Sequence, residues 1–285
     1  MLSIIVSTVY PERLERFRRN VAETIGDIPY EIIAIENVKN PRSLANVYNE
    51  GGSRARFPYL LFMHEDAGFI TKNWFEDIRR KLDEPDCGTV GFAGSKLMFN
   101  MPGGWGMGLK WMYVNVLQCG EVARANYDAN TPFVEVVTID GLAMFVRKEV
   151  WAENPFDEES LPGFHCYDVD FSLNLSLKYR NYVCFCVDVY HDSAGNFDRV
   201  WLDQTLKIYE KKWKHILPRA VDNIHLTPSQ IKYEEERQCF RFLKILEKDS
   251  VLRNFYKRRF MNYPLTLRHF EHLVKLALGL AQKRR

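Results

Sequence analysis

Residues 59–70, YLLFMHEDAGFI, carry an apolar run straight into His64, Glu65 and Asp66. Carboxylates grouped where a strand leaves a sheet repel one another unless a cation sits among them, so this polar ending suggests a metal site. Magnesium or manganese needs only one or two carboxylates and a histidine from the protein, and it keeps open positions for phosphate oxygens. The competing reading makes Glu65 and Asp66 solvated loop residues ahead of a helix, where negative charge suits the helix dipole. A second candidate is Trp105 in NMPGGWGMGLKW, residues 100–111, whose ring can stack on a sugar or simply pack. The glycines of that loop fit neither the dinucleotide nor the phosphate-loop spacing, and the segment reads as a mobile lid.

These groups need a scaffold, and the first third of the chain supplies one. LSIIVSTV (2–9) and YEIIAIEN (30–37) read as strands around a helix at PERLERFRRNVAETI (11–25), with Pro11 in its first turn. A helix at SLANVYNEGGSRA (43–55), a strand at YLLFM (59–63) and a helix at 71–82 capped by Thr71 follow. Such alternation predicts an α/β fold with a mostly parallel central sheet and helices on both faces. Ligands bind such sheets beyond the carboxyl ends of the strands, where Glu36, His64 and Asp66 fall.

GTVGFAGSK (88–96) reads as a strand, and FVEVVTIDGLAMFVRKEVW (133–151) as one or two strands entering a helix. DVDFSLNLSLKYRN (168–181) is ambiguous. Phe171, Leu173, Leu175 and Leu177 alternate as in a strand, whereas its length and Asp-rich start suit a helix. On a helix Asp170 points about 200° away from Asp168, and on a strand the two share a face. YVCFCVDVYHDSAG (182–195) reads as a strand ending at His191 and a glycine turn, and from Leu202 the chain reads as helical, broken at Pro218, Pro228 and Pro264.

With 285 residues and 46% of them hydrophobic, the chain can bury a sizeable core. Its net charge of +2 hides an asymmetry: residues 1–204 carry 20 Lys+Arg against 29 Asp+Glu, and residues 205–285 carry 19 against 8. The boundary expected on this basis separates a catalytic domain, 1–204, from a basic helical extension, 205–285. The start lacks signal-peptide features and no uncharged apolar run nears the ~18 residues of a membrane helix, so the expected location is cytoplasmic. The six cysteines lack metal-finger or thioredoxin spacing and read as reduced core residues.

The order of these pieces resembles the nucleotide-sugar glycosyltransferases of the GT-A fold, inverting and family 2-like, over roughly residues 1–200. In that family the third strand ends in an Asp-x-Asp type motif that holds a metal diphosphate. HED takes that place here, and His64 resembles a bacterial subgroup with HxD, leaving Asp66 as the direct ligand. SLANVYNEG (43–51) matches a family segment through Asn49, DGLAMFVRKEVW (140–151) looks like the acceptor-side strand with Asp140 at its mouth, and VYHDSAG (189–195) puts His191 at the family's metal-binding histidine. GFHCYDVDF (163–171) is similar to the segment bearing the Glu-Asp pair: Tyr167 replaces the Glu and Asp168 matches the base.

The resemblance implies Mn2+ or Mg2+ on Asp66 and His191, and a nucleotide-diphosphate sugar donor contacting Thr8, Glu36, Asn49, His64 and Glu65. It puts a saccharide or lipid-linked acceptor beside Trp105, Asp140 and Tyr167, and makes Asp168 a base that needs no tuning to be ionised at neutral pH. Polysaccharide synthesis is the implied setting. A nucleotidyltransferase shares the opening topology but wants a glycine-rich phosphate turn where TVYPERLER (8–16) stands. A non-catalytic sugar-binding module is the remaining alternative. The basic tail has no nucleic-acid motif. It suits packing on the domain, a homodimer, or peripheral contact with an anionic membrane at its inner face.

Overall fold

Leu2–Thr8 (β1) is an almost uninterrupted apolar run, as a strand covered on both faces requires, and it lies between two parallel neighbours, Tyr30–Glu36 (β2) and Tyr59–His64 (β3). Register aligns their carboxyl ends, with Thr8 opposite Glu36 and Ser7 opposite His64. The computed structural model describes residues 1–279 except 107, 194, 196, 197, 248 and 249. The first crossovers are Pro11–Thr24 (α1), with Pro11 in its first turn, and Leu44–Arg54 (α2), capped by Ser43, whose hydroxyl accepts from the Asn46 amide at 3.1 Å. After β3 the chain turns into the short strand Ala67–Phe69 (β4).

The next helix, Phe75–Leu82 (α3), corrects the expected cap. The Thr71 hydroxyl accepts instead from the Asp188 amide at 2.9 Å, and the chain enters α3 through Asn73 at φ 55°. Cys87–Gly91 (β5), Ala93–Ser95 (β6) and Leu97–Met98 (β7) divide the stretch expected as one strand. Met112–Gln118 (β8) and Glu121–Ala125 (β9) form a hairpin that the sequence reading lacks. Its turn is Cys119 and Gly120 at φ 49° and 82°, the double left-handed geometry of a two-residue hairpin loop, unannounced by an Asn-Gly or Asp-Gly pair.

Residues 133–151 give Phe133–Val136 (β10), Thr138–Ile139 (β11), Ala143–Arg147 (β12) and the helix Lys148–Glu153 (α4). The ambiguous segment is a helix, Tyr167–Leu175 (α5), followed by the strands Arg180–Cys184 (β13) and Val189–His191 (β14). Seven of the nine α5 residues are buried, so its apolar positions reflect burial on nearly every side and show no clean helical stripe.

The main sheet runs β10-β13-β5-β12-β3-β1-β2. Its pairings are parallel at β1–β2, β1–β3 and β5–β13, and antiparallel around β12 and at β10. Leu2, Ile4 and Val6 join α1 and α3 in one core, while Ile5 joins α2, α4 and α5 in another, so both faces are covered by helices. A second sheet, β11-β6-β8-β14-β4, crosses the end where the polar residues gather.

Arg199–Lys211 (α6) spans the 204/205 boundary, and Ile208, Tyr209, Trp213 and Leu217 belong to the core beside α5. Arg219–Ala220 (β15) pairs with β7. Pro228 opens rather than breaks a helix, Pro228–Ile245 (α7), whose start is a Thr227–Gln230 capping box. Val251–Met261 (α8) and Leu267–Ala277 (α9) are separated at Pro264. Phe240, Leu243, Tyr256 and Phe260 from α7 and α8 form a third core with Met101 and Leu202, so the extension packs on the rest of the chain. Lys283, Arg284 and Arg285 of the basic tail lie outside the described residues. Among those described, no helix is long and apolar enough to cross a membrane. All six cysteines are free, but Cys119 and Cys186 are exposed, which corrects the expectation that all lie in the core.

Candidate functional site

Two strand pairings assemble the polar cluster. Parallel pairing with β1 carries His64 to the carboxyl edge of the main sheet, and β14 pairs with β4 so that His191 stands opposite Ala67, next to Asp66. The Asp192 amide donates to the Asp66 carbonyl at 3.0 Å and holds that junction closed. Residues 127 apart in sequence thereby face one another: His64 Nδ1 lies 3.5 Å from His191 Nε2, and His191 Nε2 lies 3.5 Å from Asp66 Oδ1. One ligand atom from each of His64, Asp66 and His191 falls within 4.8 Å of the others.

The charges suit a cation. Burial alone would raise the Asp66 pKa, but the His191 hydrogen bond and the two imidazoles hold the carboxyl well below its usual range. Burial and the neighbouring His191 push His64 down, whereas His191 is raised because the Asp66 carboxylate outweighs the cost of its burial. Arg13 reaches Asp66 Oδ2 at 3.6 Å from above the Tyr10 ring, 4.6 Å from its centroid. A carboxylate with two imidazoles is a donor set that fits a divalent ion.

Glu65 does a different job. Its carboxylate accepts from the Thr8 hydroxyl at 2.8 Å and the Val9 amide at 3.1 Å, pinning the β1–α1 turn to the β3 end. The middle residue of HED is thus committed to the scaffold, and its neighbours are left for chemistry.

Beside this cluster, Gly141 organises a second group. Its amide donates to Asp168 Oδ2 at 3.0 Å, and its carbonyl accepts from the Tyr167 hydroxyl at 3.2 Å. A Cβ at position 141 would stand 2.2 Å from that hydroxyl oxygen, so only glycine permits the approach. Asp168 is pushed up to about 7, first by burial and then by the charge of Asp140. This corrects the expectation of an untuned base. Asp170 points away, its buried carboxylate accepting from Trp213 Nε1 at 2.9 Å and Lys212 Nζ at 2.8 Å.

His64, Glu65, Asp66, Trp105, Asp140, Tyr167, Asp168 and His191 all line one cleft of about 750 Å3. Thr8, Glu36 and Asn49 do not line it. Thr8 is tied to Glu65, Glu36 is exposed at the end of β2, and Asn49 clamps the 156–158 segment, donating to the Phe156 carbonyl and Glu158 at 2.8 Å each. Sequence reasoning missed Tyr10, Arg13, Phe164, Ser193 and Trp201 in the lining. Only Arg13 and Ser193 had a local signal: one is a cation just beyond the β1 turn, and the other a hydroxyl two residues from His191.

A glycosyltransferase-like family of the family 2 type matches residues 19–216. No curated protein sequence matches the chain. Among solved structures, GalNAc-T7 with UDP, GalNAc and Mn2+ superposes with a TM-score of 0.56 at 11% identity, over 98% of this chain and 57% of that one. The mannosyltransferase PcManGT of Pyrobaculum calidifontis, with GDP-Man and Mn2+, gives 0.52 at 13% over 98% and 79%. TarS of S. aureus gives 0.52 at 14% over 98% and 48%. The chain thus spans little more than half the length of GalNAc-T7, and what these structures share with it is the GT-A fold.

Proposed function

Because the chain belongs to this glycosyltransferase family of GT-A fold, we propose that it is a metal-dependent inverting enzyme. It moves a sugar from a nucleotide-diphosphate donor to a saccharide or lipid-linked acceptor. The observation that carries this reading is the meeting of His64, Asp66 and His191 in a cleft that Asp168 and Asp140 also line. Mn2+ held by Asp66, His191 and His64 would neutralise charge building on the departing diphosphate. Arg13 stands where it can add a second positive group to the same oxygens.

Asp168 is the base of this mechanism. Its Oδ2 accepts from the Gly141 amide, which orients the carboxylate to take the proton of an acceptor hydroxyl as that oxygen bonds to the anomeric carbon. The bond from that carbon to the diphosphate oxygen breaks in the same step, so attack from the opposite face inverts the centre. Asp140 keeps the base's proton affinity high, and Trp105 offers a face for a sugar ring. Thr8, Glu65 and Asn49 act through the loops they hold, and Glu36 reaches the donor only from the rim. An acceptor anchored in lipid fits the basic stretch 251–285, with nine Lys+Arg against one acidic residue, and its exposed Val251, Phe255, Leu265, Leu267 and Phe270.

The test is thermal unfolding with UDP or GDP, with and without Mn2+. A ligand at 100 times its Kd stabilises the native state by about 2.7 kcal/mol. The metal-dependent part of that shift is expected to vanish in Asp66→Ala, and an unchanged shift removes Asp66 from the site.

A further inference from the structure

We propose that Tyr167 is a positioning residue that fixes the tautomer of His64 and so turns its Nδ1 lone pair toward the cation. This rests on the metal reading above and assigns to Tyr167 a role distinct from contact with the acceptor. The Tyr167 hydroxyl has one proton and two neighbours, the Gly141 carbonyl at 3.2 Å and His64 Nε2 at 2.7 Å. A carbonyl oxygen only accepts, so the hydroxyl spends its proton on Gly141 and accepts from His64 Nε2–H. Tyr48, whose ring meets that of Tyr167 edge-on at 5.4 Å, has its hydroxyl close to that of Tyr167, and a proton donated from there would leave the bonds to Gly141 and His64 in place. With the proton on Nε2, the free lone pair of His64 is on Nδ1, the atom 3.5 Å from His191 Nε2.

The alternative tautomer would aim an N–H at the space where the ion belongs and would leave the Gly141 carbonyl without its donor. Burial makes that costly, because a buried polar group without a hydrogen-bond partner forfeits its hydration with nothing in return. Tyr167 is fully packed among Tyr48, Phe156 and His64, so its hydroxyl has little freedom to choose another partner. Metal-bound histidines are usually oriented by a hydrogen bond on the other ring nitrogen, and losing that partner typically lowers metal affinity by about 10–100-fold. Here His64 and Tyr167 act as a pair: an imidazole at the first position of the acidic motif needs an acceptor behind it, and the tyrosine is that acceptor.

Two measurements test this on the full chain without donor or acceptor. Nitrogen-15 NMR of histidine-labelled, metal-free protein should show His64 neutral and protonated on Nε2. A proton on Nδ1 overturns the proposal whatever any variant does. Titration with Mn2+ alone should give Tyr167→Phe an affinity about 10–100-fold weaker than wild type, with the far-UV spectrum unchanged. Wild-type affinity in Tyr167→Phe, with binding lost in Asp66→Ala, overturns the role of Tyr167 and leaves the metal site standing. Failure of the wild-type protein to bind Mn2+, or equal binding by Asp66→Ala, overturns the metal reading itself and the inference with it.

Discussion

In the cleft, His64, Asp66 and His191 face one another at 3.5 Å, and the carboxylate's nearest cation, Arg13, stands at 3.6 Å. In the C-terminal helices, Glu236 is also surrounded by histidines, but His272 Nδ1 donates to it at 2.8 Å, His269 Nδ1 at 3.2 Å and Arg268 Nε at 3.0 Å. Phe240 stacks on His272 at 3.8 Å, and Phe260 lies 4.5 Å from His269. Three donors converge on the buried Glu236 carboxylate, two on Oε1 and one on Oε2. The cleft cluster keeps its lone pairs at loose distances and opens onto space. The same residue types therefore make a lock between α7 and α9 in one place and a donor set that fits a cation in the other, and the difference lies in how closely the protein's own donors approach the carboxylate.

The largest effect should come from the cleft. Asp168→Asn is expected to lower turnover by about 10²–10⁴-fold with donor affinity little changed, as removal of a positioned base does. Near-normal turnover with a working donor and acceptor would sink that assignment and move suspicion to Asp140. Glu236→Ala should do the reverse. Leaving the partly buried Arg268 and the ring N–H groups of His269 and His272 without their acceptor costs about 1–3 kcal/mol per unmade bond, so the melting temperature should fall clearly while the Mn2+-dependent shift survives in the folded protein. If Glu236→Ala abolishes the Mn2+ response and spares stability, the two clusters have been assigned the wrong way round.

A smaller effect is the acid limb of kcat/KM. With Asp168 raised to about 7, the ionised and competent form dwindles tenfold per pH unit below that point. Removing the adjacent charge in Asp140→Asn lowers the Asp168 pKa and should move the limb to more acid pH. A shift toward alkaline pH contradicts the coupling. The smallest concerns the outer surface of α8 and α9, where binding to anionic vesicles should weaken as salt rises, since each basic residue contributes only about 1 kcal/mol and is screened within a Debye length. Salt-independent binding, or a concentration-dependent dimer without vesicle binding, argues for a protein partner at that surface.

The opening β-α-β-α-β order, the carboxyl-end placement of His64 and Asp66 and the helix starts at Pro11 and Ser43 were legible in the sequence, because they rest on local periodicity and capping chemistry. The HED motif and its distant partners Asp140, Asp168 and His191 were legible through their order along the chain. Local pattern failed where tertiary burial overrides it. The segment 168–181 alternates like a strand, yet α5 is buried nearly all round and so keeps no amphipathic stripe to read. The β8–β9 hairpin turns on Cys119 and Gly120 without a strong turn signal.

Only the tertiary structure decided how the three residues of HED divide their labour. Glu65 is held by a hydroxyl and two amides from the β1 turn, while Asp66 meets a histidine delivered by the β4–β14 pairing. The resemblance singled out Asp66 as the ligand but placed Glu65 at the donor, and what gives Glu65 its scaffold role is the set of donors that folding brings to it. The same holds for Asp168 and Asp170. They share one residue type and one neighbourhood in the sequence, and the fold turned one toward the cleft beside Asp140 and buried the other against Lys212 and Trp213, since residues two apart on a helix point about 200° from one another.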